Sequence, residues 1–266
     1  MRLIQLAVIC CVLIIPAVTA TAQDLGGIDP EALIERILAT DQFQRDHLED
    51  VTFSSEYVEL EEDGFREKVR FVKKVYVKYF ADTAWFTEKY LEYYKDGKLM
   101  SDADKQKEVA DRIDKQKKRK PRNISYPMVR PFYPEQRSLY NIEYAGVAPD
   151  RIDERVCHQF RVTALQPADS LINGDYYFEA EIFHLVRVDF SPSELVKKLM
   201  FKLNELNMSL LYGPTAEGYW LPRQFDIQGE GKAAFFIGVN FAGTEYYRNP
   251  VVNSGLDDST FEVTHD

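Results

Sequence analysis

Apolar and polar side chains alternate along most of the chain, with the period of two that is typical of β-strands. The alternation predicts strands at about 51–60, 66–80, 84–94, 137–147, 155–165, 174–181, 183–190, 207–213, 218–228 and 232–247. Turn signals such as Asp96-Gly97 and Asn173-Gly174 separate these runs. Because each strand has one apolar side, the pattern predicts an antiparallel sheet with one buried face.

Three of these strands define the buried face most clearly. Their alternate positions are mostly apolar: Val69, Phe71, Val75, Val77 and Tyr79 in the second run, Phe160 and Val162 in the fifth, and Phe235, Ile237 and Val239 in the last. A long antiparallel meander can curl, so we expect a curved sheet with an apolar concave face.

Helix signals occur at three places. Asp29-Pro30-Glu31 supplies an N-cap, a proline at the first helical position and an acidic first turn. The apolar stripe that follows is predicted to form a lid over the concave face: Leu33, Ile34, Ile37 and Leu38. A polar, partly helical and then proline-rich insertion is predicted at about 101–134, and Ser191-Pro192-Ser193-Glu194 predicts a short helix at about 192–202.

Residues 1–22 have the pattern of a secretory signal peptide. Arg2 precedes an apolar run, and Ala20-Thr21-Ala22 provides the small residues of a cleavage site. A membrane anchor is the alternative, but Pro16 interrupts the run before it reaches the about 20 residues that a spanning helix needs. We therefore expect an exported protein whose mature part, 23–266, is a single domain.

Composition narrows the classes of partner and of stabilisation. The chain has 33 basic and 43 acidic residues and a formal net charge of −10, which argues against nucleic acid as a partner. Of the three cysteines, only Cys157 lies outside the predicted signal peptide. No intrachain disulfide is expected in the mature protein, so its stability must come from the core.

Motifs for catalysis or metal binding are missing from the sequence. There is no G-x-S-x-G, no H-E-x-x-H and no C-x-x-C, and the four histidines are scattered. We expect no cofactor, no metal and no enzymatic activity. An acid pair assembled only by the fold leaves no sequence motif, so a hydrolase stays open as a weaker alternative.

Four stretches carry a resemblance to a known family: RSLYNIEYAGVAPDRIDERVCHQFRVTALQP at 137–167, GDYYFEAEIFHLVRVDFS at 174–191, GYWLPRQFDIQGEG at 218–231 and YYRNPVVNSGLDDSTFE at 246–262. They resemble strand pairs and closing segments of the LolA-like superfamily, which includes periplasmic outer-membrane lipoprotein carriers, their receptor and a sigma-factor regulator. The resemblance covers about half of the chain well. It implies a mainly β fold, a half-open antiparallel barrel of about ten strands covered by two or three short helices.

Together, pattern and resemblance predict a periplasmic, non-catalytic carrier or sensor that acts in lipoprotein sorting, transport or outer membrane biogenesis. It would bind a lipid, an acyl chain or a lipoprotein tail in the concave apolar groove. The expected partners are a lipid or acylated protein and a membrane-associated protein. The expected lining is Phe71, Val75, Val77, Tyr79, Phe160, Val162, Phe235, Ile237 and Val239. The main alternatives are an ordinary filled core and, with it, a structural or regulatory module that docks a protein partner.

Overall fold

Twelve strands join into one antiparallel sheet. The computed structural model describes residues 28–61, 66–80, 84–117, 128–168, 170–195, 197–198, 201–233 and 237–261. The strands are β1 Asp50–Leu60, β2 Glu67–Tyr79, β3 Ala84–Lys95, β4 Lys98–Leu99, β5 Tyr140–Val147, β6 Cys157–Ala164, β7 Ile172–Glu179, β8 Leu185–Pro192, β9 Lys197–Lys198, β10 Phe201–Pro214, β11 Trp220–Ala233 and β12 Ile237–Val252. The predicted signal peptide and Phe235 lie outside the described residues.

The strand order shows that the sheet is open. It runs β4-β3-β2-β1-β12-β11-β10-β8-β7-β6-β5, with β9 paired beside β10. Over the described residues the two edges do not meet, so the sheet is not closed into a barrel. The prediction of a mainly β, curved, half-open sheet with a helical cover is confirmed. Two short strands, β4 and β9, raise the strand number above the expected ten.

In the described ranges, three α-helices accompany the sheet: α1 Pro30–His47, α2 Asp102–Lys117 and α3 Pro134–Arg137. Single 3₁₀ turns occupy Arg130–Phe132 and Asp258–Phe261. Helix α1 begins as predicted, because the Asp29 side chain accepts a hydrogen bond from the Glu31 amide at 3.0 Å. Among the described residues, no helix combines the length and apolar character needed to cross a membrane.

The helix predicted at 192–202 is wrong. Strand β8 continues to Pro192, which pairs with Ile172, and β9 and β10 follow. The Ser193 hydroxyl bonds the backbone of Ala168 instead of capping a helix. Proline is tolerated here because the pairing of β8 with β10 ends at Phe190, which leaves Pro192 at a local edge of the sheet.

Asn173-Gly174 is not a turn either. Both residues lie inside β7, and a Cβ on Gly174 would come within 2.6 Å of the Asp189 carbonyl oxygen. The glycine is required by this close approach and not by a reversal of the chain. Asp96-Gly97, by contrast, forms the predicted turn between β3 and β4, with φ of 49° and 73°.

Most of the buried side chains lie on the sheet face that carries α1, here called the inner face; a smaller separate cluster contains Cys157, Val186 and Trp220. Strands β5–β8 lie at one side of the sheet but in the middle of the chain, and we term them the middle strands. Against them, Phe132 packs at the centre of a cluster with Phe160, Tyr176 and Phe178. Against β1–β3, termed the N-terminal strands, a second and smaller cluster surrounds Phe53. Helix α1 contributes Leu33, Ile34 and Ile37 to the first cluster, and Leu48 just beyond α1 belongs to the second.

Candidate functional site

Helix α1 lies across the inner face and is fastened at its beginning and middle. The Arg137 guanidinium forms a bidentate ion pair with Glu31, and this pair holds the pKa of the Glu31 carboxyl below its usual range. The Arg36 guanidinium stacks 3.8 Å above the Phe183 ring, and the Thr40 hydroxyl donates to the Ile182 carbonyl at 3.3 Å. These contacts join α1 to α3 and to the β7–β8 turn.

The end of α1 is fastened to β11. The Gln44 side chain pairs with the backbone of Trp220 as a neighbouring strand would, donating to the carbonyl at 2.9 Å and accepting from the amide at 2.8 Å. The His47 carbonyl accepts from the Tyr219 hydroxyl and from the Asn253 side chain. Both ends of the helix are therefore held by side chains.

Asp41 faces inward from the middle of α1. Burial raises the pKa of the Asp41 carboxyl, although Tyr133 and Arg45 oppose the shift. The Tyr133 hydroxyl donates to this carboxyl, and Arg45 Nε lies 3.1 Å from it while its guanidinium covers the Tyr133 ring. This polar group sits at the margin of an otherwise apolar space.

That space is a cavity of about 280 Å³ between α1 and the inner face. Its lining residues come from α1, from the N-terminal strands and β12, and from the segment before α3, the β7–β8 hairpin, β10 and β11. The helix supplies Ile37, Thr40, Asp41 and Gln44; β1–β3 and β12 supply Phe53, Val75, Val77, Tyr79, Ala84, Phe86 and Tyr247. The remainder are Met128, Val129, Phe178, Phe183, His184, Leu185, Leu210, Tyr212, Trp220, Leu221 and Pro222. Such an apolar lining with a few polar groups is typical of small-ligand sites, although the volume falls just below their usual range of about 300 to 1,000 Å³.

The structure brings some of the expected lining residues to this cavity and places others elsewhere. Val75, Val77 and Tyr79 line it, as does Ile37 of the expected lid. The others have these positions: Phe160 and Val162 are in the cluster around Phe132, with Leu33, Ile34 and Leu38 packed on it; Phe71 is in an aromatic group with Tyr57 and Tyr93; Val239 is partly buried on β12. Phe235 and the side chain of Ile237 lie outside the described residues.

Several lining residues escaped the sequence analysis. Phe53 and Tyr247 lie on strands that the alternation predicts, and the same alternation could have identified them as inward-facing residues. Trp220 and Leu221 begin β11 beside a strand irregularity, where the period of two fails. Thr40 and Gln44 carry no signal, because polar residues on a helix usually face solvent.

His184 is the histidine of the cavity wall. Its ring is stacked on Trp220 with centroids 5.1 Å apart, and burial lowers its pKa to about 4, against a smaller opposing effect of Glu179. The side chain is consequently uncharged at neutral pH. Burial also raises the pKa of the Cys157 thiol to about 11, so this cysteine is not a reactive thiolate.

A charged cluster lies on the same inner face, beyond the cavity. Lys73 Nζ is 2.7 Å from Glu88 Oε2 and 2.9 Å from Glu245 Oε1, and the Ser55 hydroxyl donates to Glu245. The side chains of Lys73, Glu88 and Glu245 are only 7%, 9% and 12% exposed. We call these four residues the Lys73 cluster. Within the described ranges, no group of three or more His, Cys, Asp or Glu side chains is arranged to hold a metal ion.

A larger depression, of about 970 Å³, lies on the outer face of the sheet and crosses seven strands. Small side chains such as Ser209 leave room there, and the strand alternation turns its charged residues away from α1. Arg161 pairs with Asp175 at 3.2 Å, and Arg187 pairs with Asp189 at 2.7 Å. These charged pairs interrupt the lining, which suits an acyl chain less well than the more apolar space under α1.

No protein-family model matches the sequence, and no curated protein matches it. The chain is similar to several solved structures. A Vibrio parahaemolyticus domain named for outer membrane lipoprotein sorting aligns with a TM-score of 0.49 and 10% identity, over 88% of this chain and 97% of that one. A DUF1329 family protein from Desulfovibrio piger aligns with a TM-score of 0.42 and 13% identity, over 88% and 98%. A LolA superfamily protein from Nitrosomonas europaea aligns with a TM-score of 0.43 and 10% identity, over 86% and 97%. At these identities the likeness concerns the fold alone.

Proposed function

We propose that this protein is a non-catalytic carrier or sensor that binds an acyl chain, as part of a lipid or a lipoprotein tail, between α1 and the inner face of the sheet. The observation that supports this is the apolar cavity of about 280 Å³ under the helix. A filled core would leave no such space, since protein interiors are packed about as densely as organic crystals. Most of the lining is apolar, which favours an apolar occupant.

The volume also limits what the protein takes up in the described conformation. It accommodates part of an acyl chain, and a longer chain requires α1 to move away from the sheet. The fastenings of α1 are hydrogen bonds and a solvent-exposed ion pair, and each contributes on the order of 1 kcal/mol. Burial of methylenes contributes about 0.8 kcal/mol each, so a chain of ten or more carbons offsets the loss of several fastenings.

An exported, periplasmic location belongs to the same proposal. It rests on the signal-peptide pattern of residues 1–22 and on the resemblance of the sequence to periplasmic carriers. The proposed ligands, lipids and acylated proteins, occur in that compartment. A membrane-associated protein that delivers or receives the ligand is the expected protein partner.

A matched pair of substitutions tests ligand binding in the cavity. Val77→Phe enlarges a side chain that lines it, and Val72→Phe makes the same change on the outer side of the same strand. With the uncharged fluorescent probe N-phenyl-1-naphthylamine, we expect Val77→Phe to weaken binding at least tenfold and Val72→Phe to leave it within twofold. Melting curves establish that both variants fold. Equal binding by both folded variants, or no binding by the original protein, contradicts the proposal.

Mass spectrometry of small molecules extracted from the natively purified protein identifies the ligand class. A second candidate function is the docking of a protein partner, and the polar depression on the outer face favours it. A protein that docks there without carrying a ligand yields no acyl compound in this extract. In such a protein, the Val77→Phe substitution should also leave binding of the protein partner unchanged.

A further inference from the structure

The Lys73 cluster lies next to the cavity, directly behind part of its apolar lining. Four strands each provide one cavity residue and, two positions along on the same face, one member of the cluster. The pairs are Phe53 and Ser55 on β1, Val75 and Lys73 on β2, Phe86 and Glu88 on β3, and Tyr247 and Glu245 on β12. Two residues of strand span about 7 Å, so the charges begin one side-chain layer beyond the apolar lining.

Aromatic side chains cover the opposite side of the cluster. Phe71 lies two positions before Lys73 on β2, on the side away from the cavity, and Lys73 Nζ is 5.4 Å from the centre of the Phe71 ring. Tyr57 stacks on Phe71 with centroids 4.7 Å apart and lies so close over Gly243 that a Cβ there would not fit. The cluster is thus enclosed between the cavity and an aromatic layer, which keeps it from water.

The cluster is formally unbalanced, since two carboxyl groups face one ammonium group. Tyr247 connects the excess negative charge to the cavity, because its hydroxyl is hydrogen-bonded to Glu245 while its ring lines the apolar wall. Charges separated by 4 to 10 Å interact more strongly through protein than through water, and screening by salt is weaker there. The negative field therefore extends into the space that the ligand occupies.

We propose that the negative charge of this neighbouring cluster selects the polar end of the ligand: acyl alcohols, esters, amides and amines are accepted, and acyl carboxylates and phosphates are rejected. The inference rests on the proposed function and deepens it, since it names the chemical class of ligand that the same cavity takes. An uncharged polar end is not repelled by Glu88 and Glu245, and a cationic end is attracted to them. A carboxylate or phosphate is repelled by the excess charge and loses its hydration on entering.

The test compares ligands with one chain length and different polar ends. Dodecanol, dodecylamine, dodecanoate and dodecyl phosphate are each used below their micelle concentrations to displace N-phenyl-1-naphthylamine from the original protein at pH 7.5. We expect dodecanol and dodecylamine to bind at least tenfold more tightly than dodecanoate and dodecyl phosphate. Equal or tighter binding of the two anions overturns the inference and leaves the proposed function intact. If the probe and all four ligands fail to bind, it is the proposed function that is wrong.

A charge-removing variant assigns the selectivity to the cluster. Glu88→Gln balances the remaining Lys73 and Glu245, and we expect it to raise the affinity for dodecanoate at least fivefold while that for dodecanol stays within twofold. Glu92→Gln is the matched control, because it removes the same charge from an exposed position of the same strand. If both variants change dodecanoate binding equally, the effect is one of overall charge and the inference is wrong. Should Glu88→Gln fail to fold, the ligand series on the original protein still decides.

Discussion

The middle strands and the N-terminal strands present inner faces with the same alternating pattern, yet they are filled in different ways. On the middle strands, Phe132 is fully buried and meets Phe160, Tyr176 and Phe178 edge to face at centroid distances of 5.3 to 5.6 Å. On the N-terminal strands, no single side chain plays this part among the described residues. A cavity and a buried charged cluster occupy the corresponding space.

The difference arises from what lies opposite each set of strands. The 3₁₀ turn at Arg130–Phe132 inserts an aromatic ring into the middle strands, and α1 places its Leu33 and Ile34 beside it. The N-terminal strands receive only the second half of α1, where Thr40, Asp41 and Gln44 replace the apolar stripe. One part of the sheet is therefore a core that holds the fold together, and the other has space left for function.

Removal of the ring of Phe132 tests this division most strongly. We expect Phe132→Ala to lower the free energy of unfolding by about 3 to 5 kcal/mol, because it leaves a cavity in a closely packed aromatic cluster. Urea unfolding measures the loss, and hydrogen exchange should show faster opening of β6–β8 than of β1–β3. As a control, Phe43→Ala on the exposed side of α1 should stay within about 0.5 kcal/mol. A loss below 1 kcal/mol for Phe132→Ala would falsify its assignment as the centre of the core.

Lys73→Met tests the other side of the comparison. The substitution keeps the volume but leaves Glu88 and Glu245 together without their cation, and we expect a loss of about 3 kcal/mol in the free energy of unfolding. The triple variant Lys73→Met, Glu88→Gln, Glu245→Gln should recover at least half of this loss, since no buried charge remains. Denaturant titrations of both proteins provide the measurement. If the triple variant is as unstable as Lys73→Met, packing rather than charge holds this region together.

The alternation was sufficient to predict most of the sheet, because a half-buried antiparallel strand must alternate. It failed where a residue's neighbours are far away in the sequence. Lys73 shares a face with Phe71 and Val75, and only its partners Glu88 and Glu245, on other strands, explain a buried lysine there. Likewise, the local sequence around Ser193 is typical of a helix start, but its hydroxyl bonds the backbone of Ala168, which is distant in the sequence.

The site was less predictable than the sheet for the same reason. Val75, Val77 and Tyr79 line the cavity because they lie beneath the end of α1, whereas Phe160 and Val162, with an identical pattern, lie beneath Phe132. The choice between a filled and an unfilled position depends on the insertion of Phe132 from a proline-bearing connection. Periodicity holds no information about such a segment.

Two buried carboxyls, both on the side of the N-terminal strands, lead to the smallest expected effect, which depends on pH. Asp50 begins β1; burial alone would raise its pKa, but hydrogen bonds from Ser254, Gly255 and Leu256 at 2.8 to 3.0 Å lower the pKa below its usual value. The folded protein then binds this proton more weakly than the unfolded chain, whose carboxyl has a pKa of about 3.9. The stabilisation by Asp50 is present above pH 4 and is lost as the pH falls through the folded pKa. Asp41 has a raised pKa, so its contribution has the opposite sign and declines as the pH rises above 4.

The variants Asp50→Asn and Asp41→Asn separate these two contributions. Urea unfolding between pH 3 and pH 7 should show that Asp50→Asn is destabilised at pH 7 and approaches the original protein toward pH 3. Asp41→Asn should differ least from the original protein at pH 3 and should be relatively more favourable at pH 7, because the amide avoids the cost of a buried charge. The four hydrogen bonds to Asp50 come from backbone amides and a hydroxyl, which tolerate no amide nitrogen in place of the second oxygen. Parallel pH profiles for the two variants would mean that the surroundings of Asp41 and Asp50 do not differ in the way their contacts indicate.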